Sequence, residues 1–97
     1  MRSPKTKRQP TTHKPAKKTL RIVLVTWRDA VFSSEEESPR PIMMLTLGFL
    51  VEDSDSHIAV AHEVGLDGTF RGVTSVPRGM VQNVMRLGRA ITIELCG

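Results

Sequence analysis

The stretch MMLTLGFLVEDSDSHIAVAHEVGLDGTFRGVTSVP, residues 43–77, decides the fold of this 97-residue chain. Three runs rich in apolar residues, 43–51, 57–64 and 70–76, are separated by short polar or glycine-containing segments. Five polar residues between the first two runs are a normal length for a hairpin loop. We therefore predict that these two runs pair as antiparallel strands, and that the third run is a further strand.

Two residues limit these strands. Gly48 lies inside the 43–51 run and is predicted to mark a bulge or the sharp bend that lets a short sheet curl. Pro77 lacks an amide donor, so the strand that precedes it must end there. Residues 77–80 (PRGM) are predicted to form a single turn.

The flanking segments add further strands. Residues 20–27 (LRIVLVTW) form a dense apolar run that predicts a first strand buried on both faces or nearly so. Residues 81–87 have partly helical spacing, but their neighbours favour a short strand entered through a 3₁₀ turn over a short helix. A last strand is predicted over 90–96. The intervening loop 33–41 (SSEEESPRP) has a composition that suits only solvent.

Five or six short strands in one small domain predict a mainly β fold. We expect a small, strongly bent antiparallel β-barrel of SH3-like or Sm-like architecture over residues 20–97. An OB-type barrel is the alternative. It normally has a helix between the third and fourth strands, and residues 65–69 are too few for one.

Three short motifs carry a resemblance to a known group. Residues 27–29 (WRD), 48–52 (GFLVE) and 76–81 (VPRGMV), in this order and spacing, resemble small uncharacterised bacteriophage and prophage proteins. The similarity covers about residues 21–87. It implies a phage or bacterial source and a compact body, and it implies no active site. The basic leader and residues 90–97 depart from the pattern of the group.

Charge is divided unevenly along the chain. Eight of the fourteen Lys and Arg residues lie in the first 21 positions, which contain no Asp or Glu. The remaining residues therefore carry six basic against ten acidic side chains, a net charge of −4. Residues 1–19 also contain three prolines and almost no apolar side chains, so we expect a disordered, extended tail.

The tail predicts contact with phosphate. Lysines beside prolines on an extended chain can follow a nucleic-acid backbone, although nothing in the segment can read bases. An acidic protein surface as the target, and a tail that only solubilises, remain alternatives. The candidate nucleic-acid-binding residues are those of the tail and one arginine presented by the 77–80 turn: Arg2, Lys5, Lys7, Arg8, Lys14, Lys17, Lys18, Arg21 and Arg78.

Several function classes are not expected. No Ser or Cys stands in an activating motif, and His57 and His62 are an odd number apart, so they should face opposite sides of one strand. We thus expect no enzyme, no metal site and no cofactor. Cys96 has no partner in the chain, which suits a reducing compartment, and no apolar run is long enough to span a bilayer. These features predict a cytoplasmic protein without a membrane contact.

Two function hypotheses remain. The first is a non-enzymatic phage protein that contacts nucleic acid non-specifically through its tail. The second is a modulator, an inhibitor or adaptor, that docks on a host protein through the barrel. Exposed strand edges in so short a sheet would also favour self-association into a dimer or ring.

Overall fold

The computed structural model describes residues 16–30, 38 and 40–96. Within them the chain forms one sheet of five strands and a single 3₁₀ turn, Arg78–Met80. The strands are β1 (Lys17–Asp29), β2 (Ile42–Asp53), β3 (His57–Val64), β4 (Phe70–Pro77) and β5 (Val81–Glu94). No helix in these residues is long and apolar enough to cross a membrane.

The strand order is β4-β3-β2-β1-β5, and every neighbouring pair is antiparallel. The mainly β, antiparallel prediction and the β2–β3 hairpin are thus confirmed. The edge strands β4 and β5 do not pair within the described chain, so the closed barrel stays a prediction.

The sheet is nevertheless curled. In a flat five-stranded sheet the two edge strands would lie about 19 Å apart, given about 4.8 Å between neighbours. Instead, the Cys96 amide, just beyond β5, donates a 2.7 Å hydrogen bond to the carbonyl of Leu66, in the turn that leads to β4. The two edges therefore approach each other at this end of the sheet.

The core is centred on one face of the sheet, and on β3 the alternating residues Ala59 and Ala61 are buried on the other face as well. Its centre is a set of fully buried β-branched side chains from β1, β3 and β4: Val23, Val25, Ile58, Val60 and Val76. Burying one such side chain contributes about 1.5–3 kcal/mol. The opposite face of β1 is only half-buried at Ile22 and Leu24. Leu20, the preceding residue on that face, is buried at 4% exposure. The prediction that β1 is buried on both faces or nearly so is therefore confirmed on the face of Val23 and Val25 and only in part on the other.

Gly48 allows β2 and β3 to come close. A Cβ atom at this position would lie 2.3 Å from the carbonyl oxygen of Ala61, so only glycine fits without a backbone shift. The bulge between β2 and β3 lies elsewhere, between Leu50 and Glu52. The predicted bulge at Gly48 is therefore wrong, and the sharp bend stays a prediction; the structure shows a close backbone approach at this position.

The last part of the chain is one long strand. Leu20 pairs with Ile91 and Ile22 pairs with Leu87, so three residues of β5 stand opposite the single residue Arg21. Gly88 supplies the positive φ, 72°, that this bulge uses. The sequence predicts two strands, 81–87 and 90–96, because Gly88 interrupts the apolar pattern. The backbone instead continues through the bulge.

The first strand begins earlier than its apolar run. Residues Lys17 to Thr19, which composition assigns to the tail, pair with β5 residues Thr92 to Glu94. Residues 1–15 of the expected disordered tail lie outside the described part of the chain.

Candidate nucleic-acid interface

The residues predicted to bind nucleic acid fall into three locations. Five of them lie outside the described residues: Arg2, Lys5, Lys7, Arg8 and Lys14. Lys17, Lys18 and Arg21 lie in β1, and Arg78 lies in the 3₁₀ turn. The structure therefore places the last residues of the expected tail, from Lys17 onward, in strand β1.

The start of β1 is held by contacts to two other strands. Lys17 stands opposite Glu94 of β5, a pair of opposite charges. The Lys18 ammonium lies 4.4 Å from the centroid of the Phe70 ring, a cation–π contact to β4. The amide of Leu95 also donates to the carbonyl of Ala16 at 2.7 Å. The junction between leader and sheet is thus anchored from Ala16 onward.

Three arginines are neighbours in strand register where β1 meets the β5 bulge, and we call Arg21, Arg86 and Arg89 the bulge cluster. Arg86 pairs with Val23, and Arg89 lies in the three-residue segment opposite Arg21. All three residues are exposed, and no ion pair engages them in the described chain. Exposed guanidinium groups without a carboxylate partner in the described chain favour an anionic ligand.

Local sequence pattern does not indicate that the three arginines of the bulge cluster are neighbours. Arg21 is separated from Arg86 by more than sixty positions, and only the β1–β5 register brings them together. The sequence signal that points towards it is Gly88 between two arginines near the end of the chain. A glycine in a strand interior marks a bulge, and a bulge moves its neighbours out of the regular ladder.

Arg78 lies away from this cluster. Its guanidinium donates to the Asp53 carboxylate at 2.8 Å, and its amide donates to the carbonyl of Ser56 at 2.9 Å. Arg78 therefore ties the 3₁₀ turn to the β2–β3 hairpin. The turn leads into Val81, which pairs with Trp27, so Arg78 lies at the opposite end of β1 from Lys17.

Arg71 is also separate from the bulge cluster. It lies in β4, at the other edge of the sheet, and its Nε atom is 3.9 Å from the Glu63 carboxylate. The sequence suggests that two or three of Arg71, Arg78, Arg86 and Arg89 line one edge. Arg86 and Arg89 do share β5, whereas the other two face carboxylates elsewhere.

Acidic side chains concentrate on the other half of the sheet. Five carboxylates lie on β2, β3 and their following turns: Glu52, Asp53, Asp55, Glu63 and Asp67. Asp67 accepts hydrogen bonds from the Thr69 hydroxyl at 2.8 Å and the Thr69 amide at 3.1 Å, and these bonds lower its pKa. The described body is thus divided into a basic β1–β5 side and an acidic β2–β3–β4 side.

The β2–β3 hairpin carries a polar network. The two ring nitrogens of His57 lie 2.8 Å from the Ser56 hydroxyl and 3.2 Å from the Glu52 carboxylate. Ser54 closes the turn through its amide, which donates to the His57 carbonyl at 3.0 Å. These contacts account for the hairpin geometry. Among the described residues, no three His, Cys, Asp or Glu side chains come together as a potential metal site.

Among the described residues, the aromatic side chains do not form an open stacking surface. Trp27 packs against the core, and its indole N–H donates to the Thr46 hydroxyl at 2.9 Å. Phe49 and Phe70 are half-buried. Single-stranded nucleic acid is usually held by exposed aromatic rings, so the described surface favours phosphate contacts over base stacking.

Comparison with protein-family models, curated proteins and solved structures finds no match for this chain.

Proposed function

We propose that this chain is a non-enzymatic protein that binds nucleic acid non-specifically through its basic leader and the bulge cluster. The observation that supports this is the continuity between them. The leader enters the sheet at Lys17, and β1 then carries Arg21 to the β5 bulge beside Arg86 and Arg89. A duplex engaged by the leader could continue along the same side of the sheet.

Salt dependence is the expected signature of this binding. Each phosphate contact contributes about 0.9 to the slope of log affinity against log salt. The eight basic residues of the first 21 positions would give a slope of about −7, and the two β5 arginines would make it steeper by about 1.8. No contact reads bases, so affinity should depend little on sequence.

The test uses the full chain and two charge-neutralised variants. One variant replaces Arg2, Lys5, Lys7, Arg8 and Lys14 with Gln, and the other replaces Arg21, Arg86 and Arg89 with Gln. Both should weaken binding of a duplex and reduce the salt slope, by about 4.5 and about 2.7 respectively. Arg71→Gln is the matched control, because Arg71 is also exposed but faces Glu63 at the other edge.

The outcomes separate the contributions of leader and sheet. Loss of binding in the leader variant alone would confine the interface to the leader. An unchanged slope in both variants, or no binding by the parent chain, would refute nucleic-acid binding by these residues.

A second candidate function is a modulator that docks on a host protein through the body. Large exposed apolar side chains on β2, among them Leu45 and Leu47, favour this alternative. In that case the leader variant should retain its protein partner.

We also propose that the body completes an SH3-like or Sm-like barrel, and that the chain comes from a bacteriophage and acts in the host cytoplasm. The three motifs that carry the phage resemblance lie at structural junctions. Residues 27–29 end β1, 48–52 contain the close approach and the bulge, and 76–81 join β4 to β5 through the 3₁₀ turn. Such positions constrain residue type strongly, which supports the use of these motifs as a family pattern.

A further inference from the structure

Half of β2 is paired on one side only. Residues 42–49 of β2 pair with β1, but the pairing with β3 begins at Phe49 and continues towards Asp53. The other edge of residues 42–48 is thus left without a partner strand in the described chain. Gly48 is the last residue before this pairing begins, and the Ala61 carbonyl of β3 approaches its backbone too closely for any side chain.

This unpaired segment is apolar and exposed. We call residues Ile42 to Gly48 the open edge. Its large apolar side chains are exposed by the following fractions: Ile42 55%, Met43 49%, Met44 38%, Leu45 67% and Leu47 57%. From Pro41 to Val51 the chain contains no charged residue. An uncharged edge whose backbone groups have no strand partner among the described residues is a template for strand addition.

We propose that a second copy of this chain adds to the open edge, antiparallel, with Leu45 on the two-fold axis. This register places Met43 opposite Leu47 of the other copy and Met44 opposite Thr46 of the other copy. The two Leu45 side chains then face each other. Every close pair contains at least one apolar residue and none contains a charge.

The register matches the limits of the open edge. Ile42 would lie opposite Gly48 of the second copy, so pairing would end at both positions. Pro41 cannot donate a backbone hydrogen bond, and beyond Gly48 the edge is already occupied by β3. A segment that is bounded on both sides and complementary to itself favours an isologous contact.

The face of the sheet on which Leu45 and Leu47 lie supports the same arrangement. Cross-strand partners lie on one face, and β2 residues Leu45 and Leu47 lie on the face of Leu24 and Met85, opposite the core. Addition of a second β2 would extend this apolar face across the two-fold axis. An anionic ligand gains nothing from an uncharged edge, so this contact is independent of the proposed nucleic-acid interface.

The test measures the mass of the full chain by sedimentation equilibrium over a range of concentrations in high salt. High salt weakens phosphate contacts and leaves apolar burial intact. The parent chain should be a dimer, and Leu45→Lys should raise the dimer dissociation constant at least about a hundredfold, because it replaces two buried leucines with like charges. Leu66→Lys is the matched control, since Leu66 is 59% exposed in the turn after β3, and it should remain dimeric.

A cross-linking experiment locates the axis. In a Cys96→Ser background, Leu45→Cys should form a covalent dimer under mild oxidation, because residues on the two-fold axis of an antiparallel pair lie within disulfide range. Val73→Cys, exposed on β4, should not cross-link. A monomeric parent chain, a dimer that survives Leu45→Lys, or cross-linking at Val73 instead of Leu45 would overturn the proposal. So would a monomer that becomes a complex only with another protein.

Discussion

The open edge of β2 and the outer edge of β5 are both exposed, yet they differ in whether their side chains favour or prevent the addition of another strand. β5 carries Arg86 and Arg89 around a bulge at Gly88. The open edge carries only apolar side chains, one threonine and a terminal glycine. Charges and bulges are the usual devices that prevent edge-to-edge association. The comparison indicates that β5 is suited to a charged ligand and β2 to another strand.

The β4 edge resembles β5 in this respect. It contains Arg71, a glycine with φ of 64° at position 72, and Pro77 at its end. Both terminal edges of the sheet are therefore protected. The open edge, created inside the sheet by the separation of β2 from β3, has no such device.

The largest expected effect comes from Gly48, which lies where the open edge ends and the pairing with β3 begins. Gly48→Val should lower the free energy of unfolding by at least about 2 kcal/mol, because the new side chain overlaps the Ala61 carbonyl. It should also abolish the proposed dimer. Urea denaturation measures the first effect and sedimentation the second.

Gly79→Ala is the control for this substitution, since a Cβ there meets nothing within 4 Å. A Gly48→Val protein as stable as the parent chain would show that the Ala61 carbonyl does not exclude a side chain at this position.

The next effect concerns the only hydroxyl on the open edge. Thr46→Val removes the acceptor of the Trp27 indole N–H, so the free energy of unfolding should fall by about 1 kcal/mol. Urea denaturation measures this change. In a Trp27→Phe background the same substitution should have little effect, because the donor is already absent. Equal losses in both backgrounds would contradict a role for this hydrogen bond.

A smaller effect on stability is expected from removing the arginines of the β5 edge. Replacing Arg86 and Arg89 with Val should change the free energy of unfolding by less than about 0.5 kcal/mol, as exposed surface substitutions usually do. The variant should nevertheless associate beyond the dimer, since β5 loses its charges. Light scattering against concentration measures this, with Arg71→Val on β4 for comparison. Unchanged mass would show that the Gly88 bulge alone protects β5.

The smallest effect concerns the pKa of Asp67. Thr69→Val removes the hydroxyl that donates to Asp67 and keeps the amide that also donates, so the pKa should rise but stay below its ordinary value. Because the pKa of Asp67 is lower in the folded state, its ionised carboxylate stabilises the folded protein at pH values above the ordinary Asp pKa of about 3.9. This stabilisation is lost as the pH falls through the folded-state pKa. NMR titration of the Asp67 carboxyl measures the change, and an unaltered pKa would assign the shift to the amide.

Local pattern predicted the strands well where they were bounded by strong turn signals. β3 spans residues 57–64 as expected, and β4 ends at Pro77, because an acidic loop and a missing amide donor limit them in the sequence itself. The start of β1 and the continuity of β5 were not predicted. Lys17 becomes part of a strand only through its pairing with β5, and Gly88 interrupts the pattern while the bulge preserves the ladder.

The candidate interface was predictable in part. The concentration of cations in the leader is visible in the sequence, whereas the bulge cluster depends on a register between residues far apart in the chain. Arg78 was expected to be free because a Pro-Gly turn usually presents its side chain. Asp53 reaches it only because β2 extends to that end of the sheet.

The amino-acid sequence by itself determined the strand content, the hairpin between residues 52 and 56 and the division between a basic leader and a net-acidic remainder. These properties follow from local composition and from side-chain periodicity, which act over a few residues. Only the tertiary structure decided which arginines are neighbours in register and which edge of β2 is left open. Both depend on strand register, which brings together residues that no local pattern connects.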